Sequence, residues 1–413
     1  MTGYIGYIGL SHLGINHVAA SAVKGFKVIG YDKDKKKIND LRKGKIDFFE
    51  RNLKTNLKKQ NKFISFTNNL KDLNKCNLIF FSQDVPTNQN GKSDLKKIKR
   101  LVYSSIKGLK KNTSIVILSQ VPPGFTEKIN WKPSKLYYQV ETLIFSKAQH
   151  RAINPERIIV GKSSAKKIDV NYSKYLKKFN CPIIEMDLRS AELTKISINI
   201  FLISQVTSTN LLSEISENIG GNWNKIKAGL QLDKRIGKYS YLNPGLGISG
   251  GNLERDLKTL LDFSNNNNFK SFLNSIKDLS EYKKDWIYRK FIKEVNLKKI
   301  KNIGIYGLAY KEGTNSIKNS PAVRFLNKIK ATRYKIYLYD PLVKKIHGNS
   351  NWNFCEKDTD VLNKCELILF GTPWKSLTKI KINIYKNLKI VIDPYGIFKK
   401  TKNKKFKYIS LGS

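Results

Sequence analysis

Short apolar segments alternate with amphipathic stretches over residues 1–185, and this alternation restricts the possible folds more than any other feature. The apolar segments are continuous runs, as in YIGYIGL, FKVIGYD and SIVILS. Strands that are buried on both faces carry such runs, and they belong to parallel sheets with helices on both sides. The sequence therefore predicts a doubly wound α/β domain over residues 1–185.

The rest of the chain divides into a helical region and a second region of the first type. AELTKISINIFLISQVTSTNLLSEISENI keeps a helical period without Gly or Pro, and a Gly-rich loop and more helix follow it. From about residue 297, KNIGIYGLAYKEGT, YKIYLYDP and LILFGTPW again alternate strands with turns. We predict an α/β protein in which two Rossmann-like doubly wound domains, 1–185 and 297–413, are joined by a central helical domain, 186–296, with a long helix.

The chain is strongly basic, with 77 Lys and Arg against 32 Asp and Glu and a net charge of +45. Such a charge is typical of nucleic-acid-binding proteins when the basic residues are clustered. Here lysines occur along the whole chain, and aromatic residues interleave with them only in the tail, FKKTKNKKFKY. We therefore expect no nucleic-acid partner. The lysines are interpreted as a solvated surface that favours anionic ligands.

Membrane insertion and disulfide bonding are not expected either. No apolar run approaches the ~18 residues of a membrane-spanning helix, and MTGYIGYIGLSHLG lacks the features of a signal peptide. The four cysteines are widely spaced, with neither CxxC nor metal-ligand spacing: Cys76, Cys181, Cys355 and Cys365. We expect a cytoplasmic protein without disulfides, bound metal or membrane contact.

The segment after the first predicted strand has the features of a dinucleotide-binding turn. Glycine at positions 9 and 14 lets the backbone turn tightly and approach a pyrophosphate at the helix N-terminus. Serine stands in place of the middle glycine of GxGxxG. An aspartate ends the next strand, where a carboxylate binds ribose hydroxyls and favours NAD over NADP, although lysines lie beside it. We predict an NAD site that includes Gly9, Ser11, Leu13, Gly14 and Asp32.

Taken in order with further segments, these motifs resemble the UDP-glucose/GDP-mannose (nucleotide-sugar) dehydrogenase family over nearly the whole chain. IGLSHLGI and KGFKVIGYD are similar to the family's opening, VPT to its VPTP turn and SQVPPG to its STVP turn. AELTKISIN, DKRIG and GLAYKEGTNSIKNSPA are similar to its AE–K–N helix, its DxRIG element and its GLAFKxxTxDxRxSPA segment. The number and order of these matches make the resemblance specific.

The resemblance implies roles for particular residues. It adds to the cofactor site Val85, Pro86, Thr87 and Gln120. It implies catalytic roles for Glu141, Lys195, Asn199 and Asp256. It implies substrate contacts for Arg235, Gly250, Gly251, Lys311 and Lys318, the last in place of the family's arginine. It also implies NAD as cofactor, a UDP-sugar held by the C-terminal domain, a role in polysaccharide or cell-envelope glycan synthesis, and a homodimer built on the long helix, with Arg235 reaching the partner's site.

The Gly-rich loop departs from the family pattern at the position of the nucleophilic cysteine. The family has PGxGFGGSCFxKD where this chain has PGLGISGGNLERD, so Asn252 stands in place of the cysteine and is counted among the catalytic positions. In the family, a sugar C6 alcohol is oxidised twice by NAD, and the second oxidation passes through a thioester on that cysteine. Covalent capture needs a thiolate, which Asn252 cannot supply.

The remaining residue types suit an oxidation without a covalent step. Lys195 and Asn199 are four residues apart on one helix face and can stabilise an oxyanion. Glu141 and Asp256 are carboxylates that can accept a proton. We predict either a four-electron oxidation through an aldehyde hydrate, with one of these two as base, or an enzyme that stops at the aldehyde. A non-catalytic nucleotide-sugar-binding protein is the alternative.

Purely structural explanations also exist for single residues. Glu141 suits an ion pair with a lysine at a strand edge, and Asp256 suits a helix N-cap. The four histidines match no catalytic position of the family and receive no role.

Overall fold

Continuous apolar runs become the parallel strands of two sheets in the computed structural model. The structure describes residues 3–87, 93–163, 167–295, 300–330, 334–346, 352–401 and 405–412. The chain forms two compact units, Met1–Ile198 and Asn199–Ser413.

The first unit contains an eight-stranded sheet within its described residues. Its strands are β1 (Tyr4–Ile8), β2 (Val28–Tyr31), β3 (Ile64–Thr67), β4 (Cys76–Phe81), β5 (Ser114–Ile117), β6 (Leu136–Val140), β7 (Ile158–Lys162) and β8 (Ile183–Asp187). Its helices are α1 (His12–Val23), α2 (Lys35–Arg42), α3 (Leu53–Lys59), α4 (Lys96–Ile106), α5 (Ala148–Ile153) and α6 (Val170–Lys177).

The strand order in this sheet is β3-β2-β1-β4-β5-β6-β7-β8. All neighbours up to β6 pair in parallel, β7 is antiparallel to β6, and β8 is parallel to β7. The chain reverses its direction of winding between β1 and β4, and ligands of such sheets bind at the carboxyl ends of the strands near this point. The predicted doubly wound domain is confirmed.

Alternate side chains of each central strand enter different cores, which explains the continuous apolar runs. Phe80 packs in one cluster with Tyr7, whereas its neighbours Ile79 and Phe81 pack in the cluster on the other face. Strand β3 was not predicted, because it is an edge strand with the half-polar sequence ISFT.

The long helix α7 (Leu188–Asn218) crosses from the first unit into the second and confirms the predicted long helix. The further helices are α8 (Trp223–Leu232), α9 (Asn252–Phe263), α10 (Asn267–Lys284), α11 (Trp286–Val295), α12 (Pro321–Ile329) and α13 (Asp358–Lys364). The further strands are β9 (Asn302–Tyr306), β10 (Lys335–Tyr339), β11 (Trp352–Phe354), β12 (Leu367–Phe370), β13 (Ile390–Ile392) and β14 (Lys407–Ile409).

The strands of the second unit form an all-parallel sheet in the order β11-β10-β9-β12-β13-β14. This sheet confirms the second Rossmann-like domain. The predicted boundary at 296/297 lies outside the described residues, so the division into 1–185, 186–296 and 297–413 stays a prediction. Among the helices of the described ranges, none is both long and apolar enough to cross a bilayer.

Candidate functional site

The turn after β1 has the close backbone packing that a dinucleotide site requires. Gly9 has a φ of 93°, and a Cβ atom there would lie 2.8 Å from Gln83 Cβ. A Cβ atom on Gly14 would lie 2.1 Å from Gly9 O, so α1 reaches the turn only because residue 14 is glycine. The N-terminus of α1 therefore begins beside the end of β1, where its free N–H groups can bind a pyrophosphate.

Ser11 connects this turn to the segment that follows β4. It precedes α1, but its side chain caps no helical N–H. Its Oγ instead donates to Ser82 O at 3.0 Å and accepts from Asp84 N at 2.9 Å. Ser11 thus joins the turn after β1 to the segment after β4. Leu13 packs in the core with 8% exposure, which leaves only its backbone to contact a cofactor.

Asp32 follows β2 and is oriented by three polar groups. Its Oδ2 accepts from Leu10 N at 3.0 Å and lies 3.5 Å from Lys37 Nζ, and its Oδ1 accepts from Asp34 N at 3.1 Å. A carboxylate held at this strand end fits the ribose hydroxyls of a dinucleotide. The glycine turn, the helix N-terminus and Asp32 together fit NAD.

The other predicted cofactor residues lie along the same sheet edge. Val85, Pro86 and Thr87 follow β4, and Gln120 follows β5. Because β1, β4 and β5 are parallel neighbours, their carboxyl ends meet at one edge. The fold therefore brings the separate sequence motifs of the first unit together. The role of each residue stays a prediction.

Glu141 follows β6 at this edge and is held in its ionised form. Its Oε1 accepts from Thr142 N at 2.6 Å, and its Oε2 lies 2.5 Å from His17 Nε2 of α1. Burial raises the pKa of Glu141. The combined effect of His17, the Thr142 N–H and Lys195 is larger and opposite, so the pKa lies below its ordinary value. The purely structural explanation of Glu141 expected an ion pair with a lysine, but the contacting side chain is a histidine. Sequence reasoning missed His17 because no motif contains it.

Helix α7 is fastened to the SQVPPG segment by Glu192. This fully buried carboxylate accepts from Gly124 N at 2.6 Å and from Thr126 N at 2.8 Å. Lys195 follows Glu192 by three residues and is near enough to Glu141 to lower its pKa. Glu192 lies in the matched AELTKISIN segment, but its role was missed because a motif match does not specify contacts.

In the second unit, Asn199 of α7 and Asp256 of α9 form a buried pair. Asn199 Nδ2 donates to Asp256 Oδ2, and Arg255 Nε lies 3.3 Å from Asp256 Oδ1. Asp256 is 1% exposed, and both of its oxygens have partners. Because α9 begins at Asn252, Asp256 lies inside the helix, and its alternative interpretation as an N-cap is wrong.

The Gly-rich loop contacts the GLAYKEGTNSIKNSPA segment. Gly250 has a φ of 81°, and a Cβ atom on it would lie 2.9 Å from Tyr310 Cε2. Gly250 N donates to Lys318 O at 3.2 Å, and Asn319 Nδ2 donates to Gly250 O at 2.8 Å. Asn252, the first residue of α9, is exposed directly after this loop. Two predicted substrate segments therefore meet.

The remaining predicted substrate residues have different surroundings. Gly251 precedes α9 as its N-cap, and Lys311 is half-buried. Lys318 is exposed, and its backbone contacts the loop. Arg235 is 89% exposed and binds its neighbour Asp233, with Nη2 at 2.6 Å from Oδ2. Over the described ranges, no group of three or more His, Cys, Asp or Glu side chains is placed to hold a metal ion.

Family models and known proteins match nearly the whole chain. Three models of the UDP-glucose/GDP-mannose dehydrogenase family match in order: the NAD binding domain over residues 4–180, the central domain over 189–282 and the UDP binding domain over 304–400. The UDP-glucose 6-dehydrogenase of Rickettsia felis is 27% identical over 441 residues, covering 99% of this chain and 96% of that protein.

Solved structures share the fold. A UDP-glucose dehydrogenase from Pyrobaculum islandicum superposes with a TM-score of 0.85 at 21% identity, over 99% of this chain and 97% of that one. A UDP-D-ManNAc dehydrogenase from Pyrococcus horikoshii superposes with a TM-score of 0.85 at 20% identity, over 99% of both chains.

Proposed function

The chain belongs to the UDP-glucose/GDP-mannose dehydrogenase family, and we propose that it oxidises the C6 alcohol of a UDP-linked sugar. The observation that carries this proposal is the ordered match of an NAD binding, a central and a UDP binding domain. NAD, when bound, accepts the hydride. The C-terminal domain holds the nucleotide diphosphate, with Lys311 on phosphate, and the product feeds polysaccharide or cell-envelope glycan synthesis.

The chain's own residues supply charge stabilisation and a base. Lys195 and Asn199 stabilise negative charge on the substrate oxygen. The base has to be ionised and accessible. Glu141 is held ionised with a side chain 17% exposed, whereas both oxygens of Asp256 are buried with partners. We therefore assign the base to Glu141 and the orientation of Asn199 to Asp256.

The second oxidation, in this proposal, proceeds without a thioester. A nucleophilic cysteine has a lowered pKa, but burial raises the pKa of all four cysteines, to about 12 for Cys76. Water instead adds to the aldehyde. The hydrate then loses a hydride from carbon and a hydroxyl proton to the base, which yields the carboxylic acid. One alcohol, one water and two NAD⁺ thus give one uronate, two NADH and three protons.

Counting NADH per sugar tests the reaction. Wild-type protein is incubated with UDP-glucose, UDP-N-acetylglucosamine, UDP-N-acetylmannosamine and GDP-mannose, and products are identified by mass spectrometry. We expect two NADH and a uronate from a UDP-sugar. One NADH with an aldehyde product contradicts the hydrate route, and no NADH with any sugar favours the non-catalytic alternative.

Two lysine variants distinguish the loss of a catalytic group from a general effect of removing a lysine. Lys195→Ala is expected to lower kcat by about 10²–10³-fold, the usual cost of losing a group that stabilises an oxyanion. Lys258→Ala is the matched control, because Lys258 forms a surface ion pair with Asp262 within α9, and it should keep wild-type kcat. Equal kcat in both variants would contradict the role of Lys195.

We also propose a homodimer formed through α7. Phe201, Leu212, Ile215 and the adjoining Ile219 lie on one side of the helix and are 73%, 47%, 45% and 77% exposed. A second copy would cover this apolar stripe, which is costly to leave in water. Arg235, exposed on its turn, is then available to the partner's site. We infer a cytoplasmic location, because the four cysteines are unpaired.

A further inference from the structure

His17 lies on the buried side of α1, directly beside the Glu141 carboxylate. Its side chain is 5% exposed, and that of Glu141 is 17% exposed. The ring stacks on Tyr7 with 6.3 Å between ring centroids. The histidine is therefore the inner member of the pair and the carboxylate the outer member, so Glu141 is the one placed to meet a substrate proton.

We propose that His17 is a positioning residue that fixes the Glu141 carboxylate and keeps it in its proton-accepting form. The inference rests on the proposed role of Glu141 as base. Thr142 N donates to one carboxylate oxygen and His17 contacts the other, so both ends of the group are held. A base fixed at two points loses little orientational freedom when the substrate binds.

The charged and titratable groups around Glu141 come from several elements. They are His17 of α1, Lys195 of α7, Tyr7 of β1, Tyr175 of α6, Arg151 of α5, and Arg157 just before β7. Burial raises the pKa of both tyrosines, to about 12 for Tyr175, which keeps them neutral. Arg151 is bound to the Glu156 carboxylate at 2.9 Å. The side chains that lower the pKa of Glu141 are His17 and Lys195.

Loss of His17 should therefore move the acidic limb of the activity profile. Glu141 must be ionised to act, and its pKa lies below the ordinary value. Without the His17 contact, the effect of burial is opposed less, and the pKa of Glu141 rises. Activity is then lost at a higher pH as acid is added. In His17→Gln, we expect the acidic limb of kcat to shift upward by about 1 pH unit, the smaller end of the range for a carboxylate that loses one favourable neighbour. KM for NAD should change less than about twofold, since a pure positioning role does not alter uniform binding.

Two further variants control for folding and for charge removal elsewhere. His17→Asn provides a second neutral donor if His17→Gln does not fold. Lys135→Gln removes the cation from the Lys135–Asp169 pair, which has a 2.6 Å contact and similar burial in the same unit. The acidic limb should stay in place in Lys135→Gln. An unmoved limb in the folded His17 variants overturns the proposal.

Glu141→Gln distinguishes failure of this inference from failure of the proposed function. If Glu141→Gln keeps wild-type kcat, Glu141 is not the base, and this part of the proposed function is wrong. If kcat is lost in Glu141→Gln but the His17 variants keep the wild-type limb, only the positioning role is wrong.

Unfolding of the cofactor-free chain gives a readout that does not depend on activity. A carboxyl with a lowered folded-state pKa stabilises the protein above its unfolded-state pKa, and this contribution is lost as pH falls through the folded-state value. The difference in unfolding free energy between wild type and His17→Gln should therefore shrink in acid. A difference that is constant with pH indicates packing alone and contradicts the proposal.

Discussion

Buried charged residues in this molecule have their polar partners close by. Asp256 is 1% exposed between Asn199 and Arg255, and Glu192 is fully buried against two backbone N–H groups. Burying such groups is costly unless they are paired and hydrogen-bonded. Removing one partner therefore leaves the others without compensation, and this cost can be measured.

Asp256→Ala should lower the free energy of unfolding by about 3–5 kcal/mol, the usual cost of breaking a buried charged pair. Activity should fall with it, because Asn199 loses its orienting partner. Asp262→Ala on the same helix is the control, since Asp262 pairs at the surface with Lys258, and its cost should be at most about 1 kcal/mol. Urea unfolding and NADH formation measure both effects; similar costs for the two variants would contradict the buried-pair interpretation.

At the scale of elements, the position of α1 depends on one glycine. Its N-terminus lies beside the end of β1 because residue 14 has no Cβ atom. Helix α1 also contains His17, so its packing determines both the predicted pyrophosphate site at its N-terminus and the contact with Glu141. A displacement of α1 is therefore expected to weaken cofactor binding.

Gly14→Ala should weaken NAD binding by about tenfold or more, because overpacking costs about 1–3 kcal/mol. The added Cβ would lie 2.1 Å from Gly9 O. Gly229→Ala in α8 is the matched control, since a Cβ atom there would meet no neighbouring segment within 4 Å, and helical Gly→Ala stabilises by about 0.5–1 kcal/mol. Calorimetric titration with NAD measures the affinities, and equal affinity in Gly14→Ala would disprove the close-packing argument.

At the scale of the whole molecule, two kinds of surface stand out. The net charge of +45 is spread over the chain, and only a few of the 77 basic residues have proposed ligand roles, among them Lys195, Arg235 and Lys311. The apolar stripe on α7 is a different feature, because exposed apolar side chains on one helix face indicate a protein partner. The basic residues therefore account for the character of the surface in water, and the apolar stripe is the surface of the proposed dimer.

Phe201→Asp should convert the proposed dimer into a monomer, because a charge in an apolar interface is costly to bury. Tyr103→Asp serves as the control, since Tyr103 is an exposed aromatic residue of a different helix, α4. Light scattering coupled to gel filtration measures the mass of each variant. A monomeric wild-type protein, or a dimeric Phe201→Asp, contradicts the assignment of the interface.

The sequence by itself determined the features that depend on local order. Apolar runs predicted the central strands, glycine spacing predicted the turn before α1, and the ordered motifs identified the family and its NAD cofactor. An edge strand such as β3 was missed, because a half-polar segment acquires its conformation from the strand it pairs with.

Only the tertiary structure decided which side chains meet. Glu141 contacts His17, Glu192 binds the SQVPPG backbone, and Asp256 lies inside α9 with Asn199. These partners are far apart in the chain, and no local spacing relates them. Their contacts follow from how α1, α7 and α9 pack, because burial forces each charged group to take whatever partner the packing places beside it.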